Sequence, residues 1–396
     1  MKLFQKLLLS STALGLLSPI AVSASEANFK DTNDYSQNDI EVTIDTFKPL
    51  SLKNPLLAGG EGLNSNNSSS SDIDVDTFSS TTSASFTVNF ATGSIDSGTE
   101  SKIHDAFDYT LALSTSFSGD DSLDVELIAG TGSNLAELDM HSDGAGMAVD
   151  SISYTKQLGD RLTAFVGDGA AGSSLYNTAC VYSGVTNALD DCGTLNAAID
   201  AGFGTSAGLS ADLGSGFSAA IGLETQGNNS KGLFTDESAD AFGAQVSYIG
   251  DSFGASLSWA NIENTTSGVL DSDQGATQST AFNAYFAPDL NNFPSVSIGF
   301  ENGHNDSSGL SDENDESTHY FIGLQWDDLG NGSFGAAYGT RVPTLEGLKA
   351  VGQFEAFYAY DYSDGITITP LIYSRENRAT QVPDDTGVII KTTFEF

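Results

Sequence analysis

From about residue 75 the chain alternates apolar residues with small or polar ones, at period two, again and again. Phe253, Ala255, Leu257 and Trp259 form one face of such a stretch, with Gly254, Ser256 and Ser258 between them. Phe217, Ala219, Ile221 and Leu223 repeat the pattern, as do Phe242, Ala244, Val246 and Tyr248, and Tyr320, Ile322, Leu324 and Trp326. Successive side chains of a strand point to opposite faces, so the alternation predicts strands with one apolar side. The other side carries Gly, Ser, Gln and some acids.

Tight-turn chemistry punctuates these strands. It falls at residues 118–121, 158–160, 213–216, 249–252, 289–292, 329–332 and 363–365, all but one carrying glycine. Longer polar segments lie between, near 91–103, 130–145, 168–197, 226–238, 263–277, 303–317, 341–350 and 376–384. Seven turns and eight loops join about 16 strands. An even count puts both ends of the sheet on one side, with short turns expected in the periplasm and long loops outside. Backbone groups in lipid must find partners within the structure, so a sheet there has to close. Aromatics flank the short turns: Phe217, Tyr248, Phe253, Phe286, Phe293, Trp326, Phe334 and Tyr362. They suit a membrane–water girdle. A soluble β-solenoid or sandwich would bury the apolar face and would not need this ring. The predicted fold class is all-β, a transmembrane antiparallel β-barrel of about 16 strands over residues 75–396.

The ends add direction. Lys2 and Lys6 precede an apolar stretch over 7–17, and Val22, Ser23 and Ala24 supply small residues for cleavage. Residues 1–24 therefore read as a secretory signal, too short to span a bilayer. No later stretch reaches about 18 uninterrupted apolar residues, which excludes a helical membrane protein. Residues 25–74 are polar and end in a Ser/Asn/Gly-rich run, a weakly ordered periplasmic lead-in and linker. One strand near 41–50 is the alternative there. At the other end, Phe396 closes a face formed with Phe394, Thr392, Ile390 and Val388. A terminal aromatic on an alternating strand looks like the signal read by barrel assembly machinery.

Composition narrows the function. The chain has 42 Gly, 37 Tyr plus Phe, and 14 Lys plus Arg against 53 Asp plus Glu. The net charge of −39 becomes −41 once Lys2 and Lys6 leave with the signal. So negative a chain does not bind nucleic acid, which needs basic patches, and it gathers cations. The two cysteines, Cys180 and Cys192, read as a disulfide in an exported chain, the alternative being two free thiols.

Several segments resemble the cyanobacterial outer-membrane porins, grouped with carbohydrate-selective porins of the OprB kind and often called iron-uptake porins. They are FSSTTSASFTVNF at 78–90, LALSTSFSGDDSLDVELIAG at 111–130, QLGDRLTAFVG at 157–167, DGITITPLIY at 364–373 and DTGVIIKTTFEF at 385–396. The resemblance implies a passive diffusion pore in the cell outer membrane, a homotrimer, and no enzyme activity. Carbohydrate or iron preference is compatible with it. Those porins usually carry a surface-layer-homology domain before the barrel. Residues 25–74 are too short for one, so tethering to peptidoglycan is not expected.

A pore works through lumen charge and a constriction. The third long loop, about 168–197, carries both cysteines, and in trimeric porins this loop commonly folds inward. Inside the lumen or over its mouth are both open from sequence. Closing the Cys180–Cys192 ring contributes about 3 kcal/mol. Asp190 and Asp191 beside Cys192 are candidates for setting selectivity, solvated loop-tip acids being the alternative. Arg341, Lys349, Arg375 and Arg378 near the last two loops, with Lys391 and Glu395 on the inward face of the last strand, could face those acids across the lumen. Pairing with loop neighbours such as Glu346 and Glu376 is the alternative. Arg161 and Lys156 flank a turn and fit the membrane rim. The run 72–83 begins like a calcium loop but lacks its Gly and Glu. His104, His141, His304 and His319 show no metal-ligand spacing, and no catalytic motif or cofactor motif stands out. The sequence thus predicts a cation-preferring porin whose partners are lipid and small hydrophilic solutes. A substrate-preferring porin or a non-conducting structural or adhesive barrel is the alternative.

Overall fold

A computed structural model describes residues 81–98, 101–135, 137–142, 144–226, 232–235, 238–263, 275–290, 293–306, 315–377 and 383–396. The signal and lead-in segments, residues 75–80 and Arg378 lie outside the described residues.

Seventeen strands follow in order: β1 Thr82–Asp96, β2 Ser101–Thr115, β3 Asp121–Gly130, β4 Gly144–Leu158, β5 Leu162–Asp168, β6 Thr205–Gly214, β7 Phe217–Thr225, β8 Asp240–Ile249, β9 Phe253–Glu263, β10 Ala276–Phe286, β11 Ser295–Asn305, β12 Glu316–Trp326, β13 Gly332–Thr340, β14 Thr344–Leu345, β15 Gly352–Ser363, β16 Ile366–Arg375 and β17 Asp385–Glu395. Each pairs antiparallel with its neighbours, and β1 pairs with β17, which closes the sheet. β14 is two residues inside a loop and pairs only with β12. The molecule is a closed antiparallel barrel of sixteen staves, as the alternation predicts.

All seven turn signals join consecutive strands at one end. Five of the seven place described residues in the left-handed region, among them Gly159 (φ 74°) and Gly365 (φ 73°). The other end carries the longer connections. One of these departs from expectation. The segment 91–103 is not a loop: β1 runs to Asp96 and β2 starts at Ser101, so only 97–100 connect them. The strands outlast the apolar pattern because a ladder needs only a partner strand, here in register from Thr82↔Thr115 to Asp96↔Ser101. The third long connection extends further than expected, over 169–204.

Alternation sorts the two faces. Phe217, Ile221, Phe253, Leu257 and Trp259 point outward and are exposed, while Gly254, Ser256, Ser258 and Ala260 between them are buried. Near the turns Tyr248 packs on Phe217 and Phe253 with centroids 4.9 and 5.2 Å away, and Trp326 packs on Phe334. A second aromatic ring lies toward the loop end. Phe282, Phe300 and Tyr320 stand directly opposite one another on β10, β11 and β12, and Trp259 and Tyr338 extend the ring on either side. Two aromatic rings around an aliphatic band make an outer surface suited to hydrocarbon with two polar boundaries.

The closing seam is aromatic too. Phe86 and Phe396 stack at 5.4 Å and exchange both backbone hydrogen bonds, at 2.8 and 3.1 Å; Phe90 and Phe394 meet edge-on at 6.1 Å. Replacing Phe396 with Ala should remove about 1 kcal/mol of ring pairing from the seam. The expected result is a lower temperature for the gel shift between folded and unfolded forms. An unchanged midpoint would contradict the assignment of closure to this pair.

Candidate functional site

The third loop, 169–204, lies inside the barrel. Its course follows from its hydrogen bonds to inward side chains. Gly172 N–H donates to Glu224 of β7, Asn177 N–H to Gln245 of β8 and Ala179 N–H to Ser256 of β9. Val181 N–H then meets Ser297 of β11 and Ser183 N–H meets Gln325 of β12. The tip reaches Glu355 of β15, and the return passes Asn283 of β10, Glu301 of β11 and Glu224 again. The loop is an extended flap laid round the inner wall from β7 to β15.

Three glutamates hold it. Glu224 accepts from the N–H groups of Gly172, Ala201 and Phe203. Glu301 accepts from the N–H groups of Leu195, Asn196 and Ala197 and from the Asn196 amide, at 2.9–3.1 Å. Glu355 accepts from Thr186 N–H, Val185 N–H and the Tyr182 hydroxyl, the last at 2.6 Å. All three are almost fully buried, and every partner is a donor to one or other carboxyl oxygen. A segment pulled off water leaves orphan N–H groups, and a carboxylate satisfies several at once.

The wall makes room for the flap backbone at glycines. A Cβ on Gly299 would sit 1.7 Å from the Cys192 carbonyl, and one on Gly222 would sit 1.9 Å from the Gly172 carbonyl. Those glycines are the floor on which the flap rests.

Cys180 and Cys192 are joined as a disulfide, with Cα atoms 6.2 Å apart, at the base of the tip. Tyr182, Val185, Leu189 and Cys192 of the tip pack with Leu135 and Leu138 of the second loop and with Phe321, Phe357, Leu371, Tyr373 and Ile389 of the wall. A bridge between Leu138 and Thr186 ties the two loops, with Asn187 N–H donating to the Glu137 carbonyl. The loops thus form an apolar plug over the inner wall near the seam.

Asp190 and Asp191 stand at this tip. Asp190 is half-buried, and its Oδ1 has no hydrogen-bond partner. Burial, helped by Asp191 and Asp139, pushes it up to about 8. Asp191 stays open to the lumen yet is ringed by protein; burial, then Asp139, Asp200 and Glu301, push it up to about 6. The basic candidates do not gather opposite them. Arg341 and Arg375 both bind Glu137 of the second loop, Arg341 at 3.0 Å, and Arg375 also binds Asp385. Lys349 pairs with Glu376 at 3.3 Å. Lys391 faces inward, paired in register with Ala91, but lies about 20 Å along the strand from Asp385. Glu395 lies beyond it near the turns. Lys156 pairs with Asp120 at 2.5 Å by the β2–β3 turn.

Sequence reasoning missed Glu137 and the three wall glutamates. The available signal was positional: an isolated Glu on the inward face of a strand that otherwise shows Gly, Ser, Ala or Gln there.

No family model matches the chain, and no curated protein matches it by sequence. Solved structures do resemble it in fold. Pseudomonas putida OprB is 8% identical with a TM-score of 0.58, over 80% of this chain and 94% of that one. An anion-selective porin from Comamonas acidovorans is 14% identical at 0.55, over 80% and 100%. Salmonella typhi OmpF, in complex with daunomycin, is 13% identical at 0.51, over 80% and 97%. At these identities the likeness establishes a porin-type barrel fold.

Two outcomes are expected at this site. Glu355→Gln turns an amide NH₂ toward N–H donors, and Glu355→Ala strands them; each orphaned donor costs about 1–3 kcal/mol. Both should speed proteolysis within 169–204 while the barrel still resists heat on a gel, and equal protection in variant and parent would refute the anchor. The second outcome concerns pH. The folded values of Asp190 and Asp191 lie above the unfolded carboxylate value, so folding takes up protons between them. The seated tip should be most stable in acid and lose stability as pH rises from about 4 towards 8. Hydrogen exchange at Thr186 and Asn187 would show it, and Asp190→Asn should flatten the profile.

Proposed function

We propose that the protein is an outer-membrane porin that passes small hydrophilic solutes and ions by diffusion, with a preference for cations. One observation carries this reading: the barrel is apolar and aromatic-ringed outside, while an acid-bearing loop laid on the polar inner wall narrows the lumen. An outer apolar band of that kind belongs in lipid, and a polar lumen in water. The porin-type fold of the structural neighbours agrees. Export by residues 1–24, insertion by assembly machinery that reads Phe394 and Phe396, and a homotrimer are parts of the same reading. Of the two tip acids, Asp191 contributes to cation preference once pH exceeds about 6, while Asp190, pushed up to about 8, stays mostly uncharged at neutral pH; the described Arg341, Lys349 and Arg375 are held in ion pairs. A carbohydrate- or iron-preferring pore, as the cyanobacterial resemblance implies, is the narrower version.

A second reading has its own support. The apolar plug near the seam favours a non-conducting structural barrel. Planar-bilayer recording separates the two. The expected outcome is stepwise conductance, with reversal potentials in a salt gradient that report cations crossing faster than anions. Silence in the bilayer would favour the structural barrel, and anion preference would remove the charge argument.

A further inference from the structure

The flap's hydrogen bonds and the plug do not extend over the whole inner wall. Hydrogen bonds from the flap reach β7 to β15, and the apolar cluster covers the wall from β12 through the seam to β2. The inner faces of β3 to β6 receive neither. Two cavities occupy that side. One, of about 370 Å³, lies between β2, β3, β4 and the first residues of the flap. Ser114, Asp124, Glu126, Asp150, Ser153 and Ser174 line it. The other, of about 470 Å³, continues toward the turn end and is lined by Thr163, Ser174, Asn177, Ser210, Asp212 and Arg161. Ser174 lines both, so the two lie on either side of one residue of the flap.

We infer that solutes cross the barrel along this off-axis path between the flap and β3–β6, and that Asp124, Glu126 and Asp150 are its main charge-selecting residues. The inference rests on the pore reading above and says where in that pore the choice is made. A β-bulge in β4 supports it. Glu126 pairs with Ser151 and Leu127 with Val149, so Asp150 is the extra residue. The bulge re-aims Asp150 into the same cavity as Glu126, close enough for the two to repel. Like charges are brought together there at a cost, with no Lys or Arg among the described residues lining that cavity. Asp124 accepts from the Ser122 hydroxyl at 2.7 Å, which holds its carboxylate at the cavity wall. Asp190 and Asp191 sit at the far tip of the flap, beside the plug. A cation on the open side therefore passes the β3–β4 acids first-hand and feels the tip acids from further off.

Bilayer recording of full-length protein tests both parts. The triple variant Asp124→Asn, Glu126→Gln, Asp150→Asn should lower cation-over-anion permeability by about threefold or more at low salt. It should do so more strongly than Asp190→Asn with Asp191→Asn. Single variants Ser153→Cys and Ser174→Cys, treated with a charged methanethiosulfonate, should lose current. Ser297→Cys, beneath the flap, should not react. A parent that conducts nothing overturns the pore reading itself. A parent that conducts, with full current after labelling at both path positions, overturns the path. A larger selectivity change from the Asp190 and Asp191 pair overturns the assignment of the charge-selecting residues.

Discussion

A backbone segment of some 36 residues, 169–204, sits inside a closed sheet, and its N–H groups have to be satisfied there. That constraint shapes everything the wall does on its inner side. A sheet uses its own backbone groups in its ladders and has none left for an intruding loop. The inward side chains must supply the acceptors. Gln245, Ser256 and Ser297 each accept from one N–H, Asn283 donates instead to the Cys192 carbonyl, and Glu224, Glu301 and Glu355 serve three or four donors apiece. The acids lie on β7, β11 and β15, so the flap is fixed at its base, its middle and its tip. Carboxylates do this without cations because backbone dipoles carry the compensating charge.

The same demand explains the small residues. The inner face of a barrel this wide needs side chains or water to fill it. Here glycine, serine and alanine keep it low on β7 to β13, so that the flap can lie against the ladder itself. The Gly299 and Cys192 contact is one place where nothing larger fits. The apolar tip then packs where the wall is no longer small: Phe321, Phe357, Leu371, Tyr373 and Ile389 form the seat for Tyr182, Val185 and Leu189. Polar anchoring over one half of the circumference and apolar packing over the other hold one loop in one place. The Cys180–Cys192 link closes the tip that spans them.

The barrel was legible in the sequence because its signals are local. Each turn carries its own Gly or Asp chemistry, and each strand states its faces by alternation, as Phe253 to Trp259 does. The first connection was misjudged because Thr92 and Ser94 read as loop when they continue a strand whose partner, β2, is equally polar there. The second aromatic ring was hidden for a related reason. Phe300 and Tyr320 look unremarked within their strands and become a ring only when register sets them side by side. The anchors' partners were out of reach, even where an isolated inward Glu could have marked the strand. Glu355 meets Thr186 across 169 positions of sequence, and no spacing rule connects a strand carboxylate with the amides of a distant loop. Glu137 was overlooked because its two arginines come together only once the second loop folds inward.

Charge inside such a barrel depends less on where the acids are than on where the bases are kept. Acids outnumber Lys and Arg by 53 to 14, so almost any placement leaves carboxylates facing the lumen. A basic strip opposite them would set up a field across the pore and weaken cation preference. The structure instead ties Arg341 and Arg375 to Glu137, and Arg375 to Asp385, at the loop end of β13 and β16. Those pairs hold the second loop against the plug, and in doing so they cancel the guanidinium charge away from the β3–β6 side. Lys391 stays on the inward face beside Ala91, on the seam side of the lumen that the plug covers. Arg341 and Arg375 thus work as fasteners for the second loop, and the cavities along β3–β6 are lined by Asp124, Glu126, Asp150 and Asp212, with Arg161. Holding the guanidinium groups in these pairs keeps their charge away from that side of the wall and leaves the acids placed there unopposed except by Arg161.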